Sequence, residues 1–450
     1  MAESTKKITG YLPDETPSVG KTIVFAFQQI LVMFPATVTV ALLTGFHVST
    51  TIFASGLATI CFLLITRGKI PLYYGSSFSY LAAIISITGA KYGITASDSL
   101  ISQAQFGIIM SGLVSIVVGL IVTRFGMDII EKVLPATVTG SIAMVIGISL
   151  AGTAITSAAG FDSKTGVVNN NAWIAALVTL VATIFFSVYL KGVWGQLPIL
   201  FGIMVGYVVS IPLGLIDFGA IWSVKDGIVS VPHFTLPSIS WKAVLAIMPI
   251  AIATIPESTA HLFQLDIYVN DLAKKKGKGE YKIADKLGLN LIGDGVGDIV
   301  ASLFGGPAGT NYGENLSTMA ITRNFSTKVL GAAAIMAMAL SFLNPVSAAI
   351  NSVPSSVING ACIYLFGVIG AQGVAIMINK KVDLFDARNL AIIAVILVIG
   401  LGGSYGFPGG MIPAFGLEFP AIATAASVGI ILNILLSIGR KKPTEVKEAA

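Results

Sequence analysis

The sequence predicts an all-α integral membrane protein, and three observations predict it. Of 450 residues, 55% are hydrophobic and only 11% charged, against roughly 25% charged in soluble globular chains. Apolar runs of the length needed to cross a hydrocarbon layer of about 30 Å recur from Thr22 to Ser437. Lysine and arginine collect in alternate connections between those runs. Hydrocarbon cannot hydrogen-bond an open backbone, so the runs must be helical except where protein surrounds a break.

Residues 1–20 are polar, lack the apolar stretch of a cleaved signal, and read as a cytoplasmic tail. Seven spans follow within 21–216, near 22–46, 50–66, 70–88, 103–123, 133–157, 172–190 and 197–216. A polar connection occupies 217–241. A second set of seven lies within 242–438, near 242–264, 287–304, 308–322, 327–350, 357–378, 388–405 and 419–438, and 439–450 form a second cytoplasmic tail. With both termini inside, all 27 Lys and Arg residues except Lys91, Lys164, Lys225 and Lys242 fall on the cytoplasmic side, as the positive-inside rule requires. The net charge of +5 is therefore a topology signal, and no nucleic-acid partner is expected. The run Lys274-Lys275-Lys276-Gly277-Lys278 reads as a solvated cytoplasmic loop, with an anionic-lipid contact as the alternative. Cys61 and Cys362 lie far apart in apolar runs, so neither a disulfide framework nor a metal cluster is expected from them.

Two spans differ from the rest. The third reads Ile70-Pro71-Leu72-Tyr73-Tyr74-Gly75-Ser76-Ser77-Phe78-Ser79-Tyr80, and the tenth contains Gly305-Gly306-Pro307-Ala308-Gly309-Thr310-Asn311-Tyr312-Gly313-Glu314-Asn315. Both carry small polar and aromatic residues where a lipid-facing helix would carry Leu or Ile. Each is third of seven in its half. Interrupted segments at corresponding places point to a transporter site between inverted repeats, because seven spans reverse the second copy. Two Gly-rich kinks placed alike by coincidence are the competing reading. The pentapeptide Pro-Ala-Thr-Val-Thr, at Pro35–Thr39 and Pro135–Thr139, does not fall at equivalent positions and is read as accidental.

Of 22 acidic residues, only Glu257, Asp294, Asp298 and Glu314 fall inside spans, all in spans eight to ten. A mid-bilayer charge costs roughly 2.5–3.5 kcal/mol on insertion scales, so four in neighbouring spans imply a polar cavity. Glu257 and His261 share a helix face at i,i+4. Desolvation disfavours the charged form of a carboxylate, which is what proton exchange near neutral pH needs, and the imidazole can orient it by hydrogen bonding. A purely structural Glu–His pair stays open as the alternative. Glu314 sits where helix resumes after Gly313, beside free backbone N–H groups. There a carboxylate can accept from ring N–H groups while amides donate to ring carbonyls. Asp294 and Asp298 also share a face. Asp294 is expected to support the binding segment and Asp298 to be partly solvated, with a structural role for both as the alternative.

At these residues the chain resembles the nucleobase–ascorbate transporter family (nucleobase:cation symporter-2), and within it the bacterial uracil permease branch. The signature reads Glu314-Asn315-Leu316-Ser317-Thr318-Met319-Ala320-Ile321-Thr322-Arg323, and Phe27-Gln28-Gln29, Gly68-Lys69-Ile70-Pro71, Gly75-Ser76-Ser77-Phe78, and Glu257 with His261 match as well. The resemblance implies fourteen spans in two inverted seven-span repeats. Spans one to four and eight to eleven would form a core, the others a gate, and short strands would sit in spans three and ten. It implies that Glu257 and Glu314 hydrogen-bond the substrate ring, that the backbones of Phe78 and Gly313 meet its carbonyls, and that His261 supports Glu257. From aromatic geometry, Tyr312 and Phe78 can add ring packing. Two positions depart from the family pattern. Ser317 replaces the signature Gly, and Glu257-Ser258-Thr259-Ala260-His261 follows Pro256 without the family's usual first histidine.

The expected function is proton-coupled uracil uptake by alternating access at the inner cell membrane, with no cofactor beyond the co-transported proton. A xanthine or other purine permease is the nearest alternative, though Glu314 and Thr322-Arg323 speak against it. An anion carrier of the same architecture is expected to place a basic residue where this chain has glutamate. An enzyme lacks the nucleophile or metal constellation it would need. A homodimer is compatible with this reading.

Overall fold

The computed structural model describes residues 10–126, 132–161, 165–216, 227–414 and 417–438. The first half begins with α1 (Val19–Thr44), which ends on Gly45 in the left-handed conformation, and α2 (Val48–Ile65). The third span is broken as the sequence indicates. Strand β1 (Tyr74–Ser76) and a 3-10 turn at Phe78–Tyr80 precede the short α3 (Leu81–Thr88). Then come α4 (Asp98–Phe125), α5 (Ala136–Ser149), α6 (Ala151–Ala158), α7 (Asn170–Tyr189) and α8 (Pro198–Ser210).

The second half opens with α9 (Trp241–Ile247), which a 3-10 turn joins to α10 (Ala251–Lys275), and continues with α11 (Leu287–Leu303). Strand β2 (Gly309–Asn311) leads directly into α12 (Gly313–Thr322). After α13 (Thr327–Leu340), α14 (Asn344–Asn351), α15 (Ser355–Asn379) and α16 (Ala387–Gly406), a hairpin of β3 (Met411–Ala414) and β4 (Leu417–Pro420) connects to α17 (Ala421–Leu435). Among the described residues, eight helical segments are long and apolar enough to cross a membrane, and shorter apolar helices stand beside them.

Three local features differ from the sequence reading. The span expected at 327–350 is two helices, because the chain turns at Ser341–Leu343, where Phe342 and Leu343 pair with Ser230 and Val229 of the connecting segment. The hairpin of β3 and β4 was not expected between the last two spans. From Gly10 onward, the segment read as a tail is fixed to the fold. Tyr11 exchanges backbone hydrogen bonds with Arg323 and Phe325, both at 2.8 Å, and Leu12 is fully buried. Residues 217–226, the first part of the expected polar connection, and 439–450, the second tail, lie outside the described residues.

The helices pack in two groups. In one, α1–α4, α9–α13 and the strand pair surround a common core; in the other, α5–α8 pack with α15–α17. The first holds the elements of spans one to four and eight to eleven. Its tightest seam joins α4 to α11 through glycines. A Cβ on Gly112 would lie 2.6 Å from the Gly295 carbonyl oxygen, and one on Gly119 would lie 2.7 Å from that of Gly288. Apolar surface offers little drive for helix association in lipid, so close backbone approach at small residues supplies it instead. The second group repeats the device where Gly140 on α5 meets Gly373 on α15. The two groups touch at several places: α10 and the Phe78–Tyr80 turn meet α5, the Met248–Ile250 turn meets α17, α3 meets the Pro408–Gly410 turn, α12 meets the Trp194–Gln196 turn, and α9 meets β4, where Lys242 pairs with Glu418 at 3.6 Å.

Candidate substrate site

The site is built around the antiparallel pair of β1 and β2, in the register Tyr74↔Asn311, Gly75↔Thr310 and Ser76↔Gly309. Two three-residue strands are marginal alone. These survive because side chains satisfy their edges. From α2, the Ser55 hydroxyl donates to the Tyr74 carbonyl at 2.8 Å, and the Thr59 hydroxyl accepts the Tyr74 N–H at 3.1 Å. From α11, Asp298 accepts from the Tyr74 hydroxyl and from the Gly309 N–H, the latter at 2.8 Å. Asp298 is 2% exposed. The expectation that it is partly solvated is therefore corrected: it is an acceptor that ties both strands to α11.

Asp294, one turn earlier on α11, belongs to a second polar cluster. Its carboxylate accepts from the Ser258 hydroxyl on α10 and, at 3.4 Å, from the Asn311 side-chain amide. Asn290 donates to Ser258 at 2.7 Å, and Asn311 also reaches Ser258 at 3.1 Å. All four residues are buried. The cluster joins α10, α11 and β2. Its polar partners, Ser258, Asn290 and Asn311, were not foreseen.

Beyond each strand the chain starts a half-helix toward the same place. The Ser77 side chain caps the first by accepting the Ser79 N–H at 3.2 Å. On α12 no side chain caps the first turn, so its leading N–H groups remain donors at the positive end of the helix. Phe78 and Gly313 stand at these two starts, both half-buried. Glu257 from α10 faces them, half-buried, with the Ser79 hydroxyl donating to it at 3.3 Å. Glu314, in the first turn of α12 directly after Gly313, is solvent-accessible. His261 lies against the strand end: a Cβ on Gly313 would stand 2.8 Å from its Nε2. The structure thus brings Glu257, Glu314, Phe78, Gly313 and His261 together.

Tyr312 is placed differently. Its ring lies over Gly75, whose added Cβ would sit 2.3 Å away, and its hydroxyl donates to the Ser76 carbonyl at 2.9 Å and pairs with Thr37 at 3.0 Å. At 4% exposure it braces β1 against α1, so the expectation that it packs on a substrate ring is corrected. Asn315 of the signature motif likewise faces inward, donating to the Gln29 side chain at 2.8 Å and to its carbonyl at 2.9 Å. Gln29 belongs to the Phe27-Gln28-Gln29 match to the family, but its contact with Asn315 was not foreseen; Ser55, Thr59 and Thr37 carried no signal that set them apart from other hydroxyls in apolar helices.

Comparison with known proteins shows the family. Residues 20–409 match the profile Xan_ur_permease, described as "Permease family". The chain belongs to that family, the nucleobase:cation symporter-2 transporters. It is 37% identical to a uracil permease of Bacillus caldolyticus over 96% of this chain and 95% of that one. It is 34% identical to a uracil permease of Bacillus subtilis (strain 168), over 99% of each. A protein of Escherichia coli (strain K12) named putative pyrimidine permease RutG is 34% identical, over 97% of this chain and 94% of its own. Among solved structures, the murine Solute Carrier 26 family member A9 anion transporter, inward-facing, superposes with a TM-score of 0.67 at 12% identity, covering 95% of this chain and 70% of that one. The transmembrane domain of a cyanobacterial bicarbonate transporter gives 0.58 at 13% identity, covering 95% and 100%. These two likenesses concern the fold alone. This family member is a multi-pass membrane protein.

Proposed function

We propose that this chain imports uracil together with a proton across the inner cell membrane, through fourteen spans with both termini cytoplasmic, by movement of the second helix group against the first. One observation carries the reading: two accessible carboxylates, Glu257 and Glu314, face the converging starts of two half-helices. A pyrimidinedione ring offers N–H groups and carbonyls in alternation. Carboxylates accept from the former, and backbone N–H groups at Phe78 and Gly313 donate to the latter. Phe78 packs on the ring. Glu257 carries the coupled proton, as the half-buried carboxylate that faces both half-helix starts. Asp294 holds β2 in place through Asn311 and Ser258, and His261, one turn beyond Glu257 and against Gly313, supports the strand end beside that carboxylate. The uracil permeases among its relatives support this substrate, and the two glutamates set the site apart from an anion carrier of shared fold.

The test is uptake of labelled uracil by cells lacking their own permease, comparing the parent with Glu257→Gln, each with and without a protonophore. Accumulation by the parent that collapses with protonophore, and is lost in the variant, is the expected result. No uracil uptake by the parent removes the pyrimidine assignment and turns attention to purines. Uptake indifferent to the protonophore removes the coupling.

A further inference from the structure

We propose that His47, Asp98 and His233 form a binding site for a divalent transition-metal ion of the zinc type, at the end of α1 remote from the Gly10–Glu15 segment. Two of the three histidines in the chain converge on one carboxylate there. His233 Nε2 lies 2.9 Å from one Asp98 oxygen and His47 Nε2 lies 3.7 Å from the other, while the two rings stand 4.4 Å apart at a 42° tilt. The three ligand atoms all fall within 4.8 Å of one another. Bonds of about 2.0–2.1 Å around a tetrahedral ion place its ligand atoms about 3.3 Å apart, so small side-chain shifts close the site.

Two further features point to a ligand rather than to an ion pair alone. The His233–Asp98 pair is complete by itself, yet His47 Nε2 is buried with no hydrogen-bond partner and points at the same carboxylate beyond hydrogen-bond range. A cavity of about 100 Å³ adjoins His47, lined by Ser49, Thr95, Ser347 and Asn351 among others, and offers room for a water on the remaining coordination position. The donor set, two imidazoles and one carboxylate with solvent access, suits zinc and its neighbours and not magnesium or calcium, which prefer oxygen. The ligands come from the α1–α2 corner, the start of α4, and the segment joining the two halves. The last is held in place where the Thr50 hydroxyl donates to the His233 carbonyl at 2.7 Å. A bound ion staples that connecting segment to the first helix group.

The experiment is calorimetric titration of Zn²⁺, and separately Mg²⁺, into the full chain purified without a polyhistidine tag, alongside His233→Ala and His47→Gln. The thermal midpoint of each is followed with and without zinc. The proposal expects one zinc per chain in the parent, a zinc-dependent rise in its midpoint, and no displacement by magnesium. In either variant, affinity should fall by at least the roughly 10–100-fold typical when even an outer partner of a metal ligand is lost. If the parent binds no zinc, the three side chains form an ion pair only. If both variants bind as the parent does, the site lies elsewhere, and the proposal fails in that case too. Neither readout depends on the transported substrate.

Discussion

Asp298 tests whether the membrane carboxylates divide into working and scaffolding roles. Its oxygen accepts from two buried donors on different strands, the Tyr74 hydroxyl and the Gly309 N–H. In Asp298→Ala both donors lose their partner, and at about 1–3 kcal/mol for each buried group left unpaired the total is about 2–6 kcal/mol. Asp298→Asn keeps a carbonyl oxygen where the carboxylate was. It weakens two charge-assisted bonds to neutral ones, which are about half as strong, and leaves the strands paired. Thermal unfolding of the detergent-purified chain and uracil uptake at matched membrane abundance read the two effects. The alanine variant should lose stability and uptake together, and the asparagine variant should retain most of both. In a Tyr74→Phe background the alanine substitution strands only Gly309, so its cost should roughly halve. An asparagine variant that is as stable as the parent yet as inactive as alanine would refute the argument, because Asp298 would then act through its charge or proton.

Two further predictions follow from packing and from charge. Gly75→Ala drives a Cβ into the Tyr312 ring, which two hydrogen bonds hold fixed. It should cost about 1–3 kcal/mol by overpacking and abolish uptake, whereas Gly331→Ala on α13, with nothing within 4 Å, should be neutral or stabilising; equal thermal midpoints for the two would sink the packing argument. The Glu15 carboxyl is held at about 2 against an ordinary 4.5: burial pushes it up, and hydrogen bonds from Lys276, the Leu12 N–H and Lys278 outweigh that. A carboxyl lowered on folding stabilises fully above its unfolded value and loses that contribution as pH falls from about 4.5 toward 2. Protection of the Tyr11 and Phe325 amides relative to their intrinsic exchange rates should therefore fall over that window in the parent and be low already at neutral pH in Glu15→Gln; identical protection profiles in the two proteins would remove Glu15 as the latch.

The spans were legible because a bilayer imposes length and apolarity on every crossing, and the broken segments were legible because Gly75 and Gly309 stand where Leu or Ile would face lipid. Strand register was not. It depends on Ser55, Thr59 and Asp298, which approach Tyr74 from other helices, and nothing local distinguishes them. The i,i+4 spacing of Asp294 and Asp298 correctly gave them one face of α11, but spacing cannot say that the face meets two strands rather than water. Tyr312 was assigned to the substrate because it is aromatic and adjoins the signature. Its actual position follows from an absence, the missing side chain of Gly75 on the opposite strand, which leaves a slot its ring fills. The breaks at Leu150 and Ser341–Leu343 lie in continuous apolar sequence and carry no Gly or Pro at the turn itself.

Helix α10 shows why the site travels as one piece. Successive residues on a helix diverge by about 100°, so Glu257 faces the cavity while Ser258 faces the buried cluster of Asn290, Asp294 and Asn311. A shift of β2 relative to α10 would break hydrogen bonds at Ser258 and press Gly313 into His261, and a shift of the first half-helix would break the contact of Ser79 with Glu257. The carboxylates and the strand backbones are therefore locked together within the first helix group. Near the site the second group meets α10 and the Phe78–Tyr80 turn through α5, and α12 through the turn at Trp194–Gln196; the side-chain hydrogen bond seen on Glu257 comes from Ser79 of the first group. On the proposed mechanism, access must then alternate by sliding the second group past an intact site, and a disulfide engineered across α5 and α10 should halt uptake while leaving uracil binding measurable from one side of the membrane.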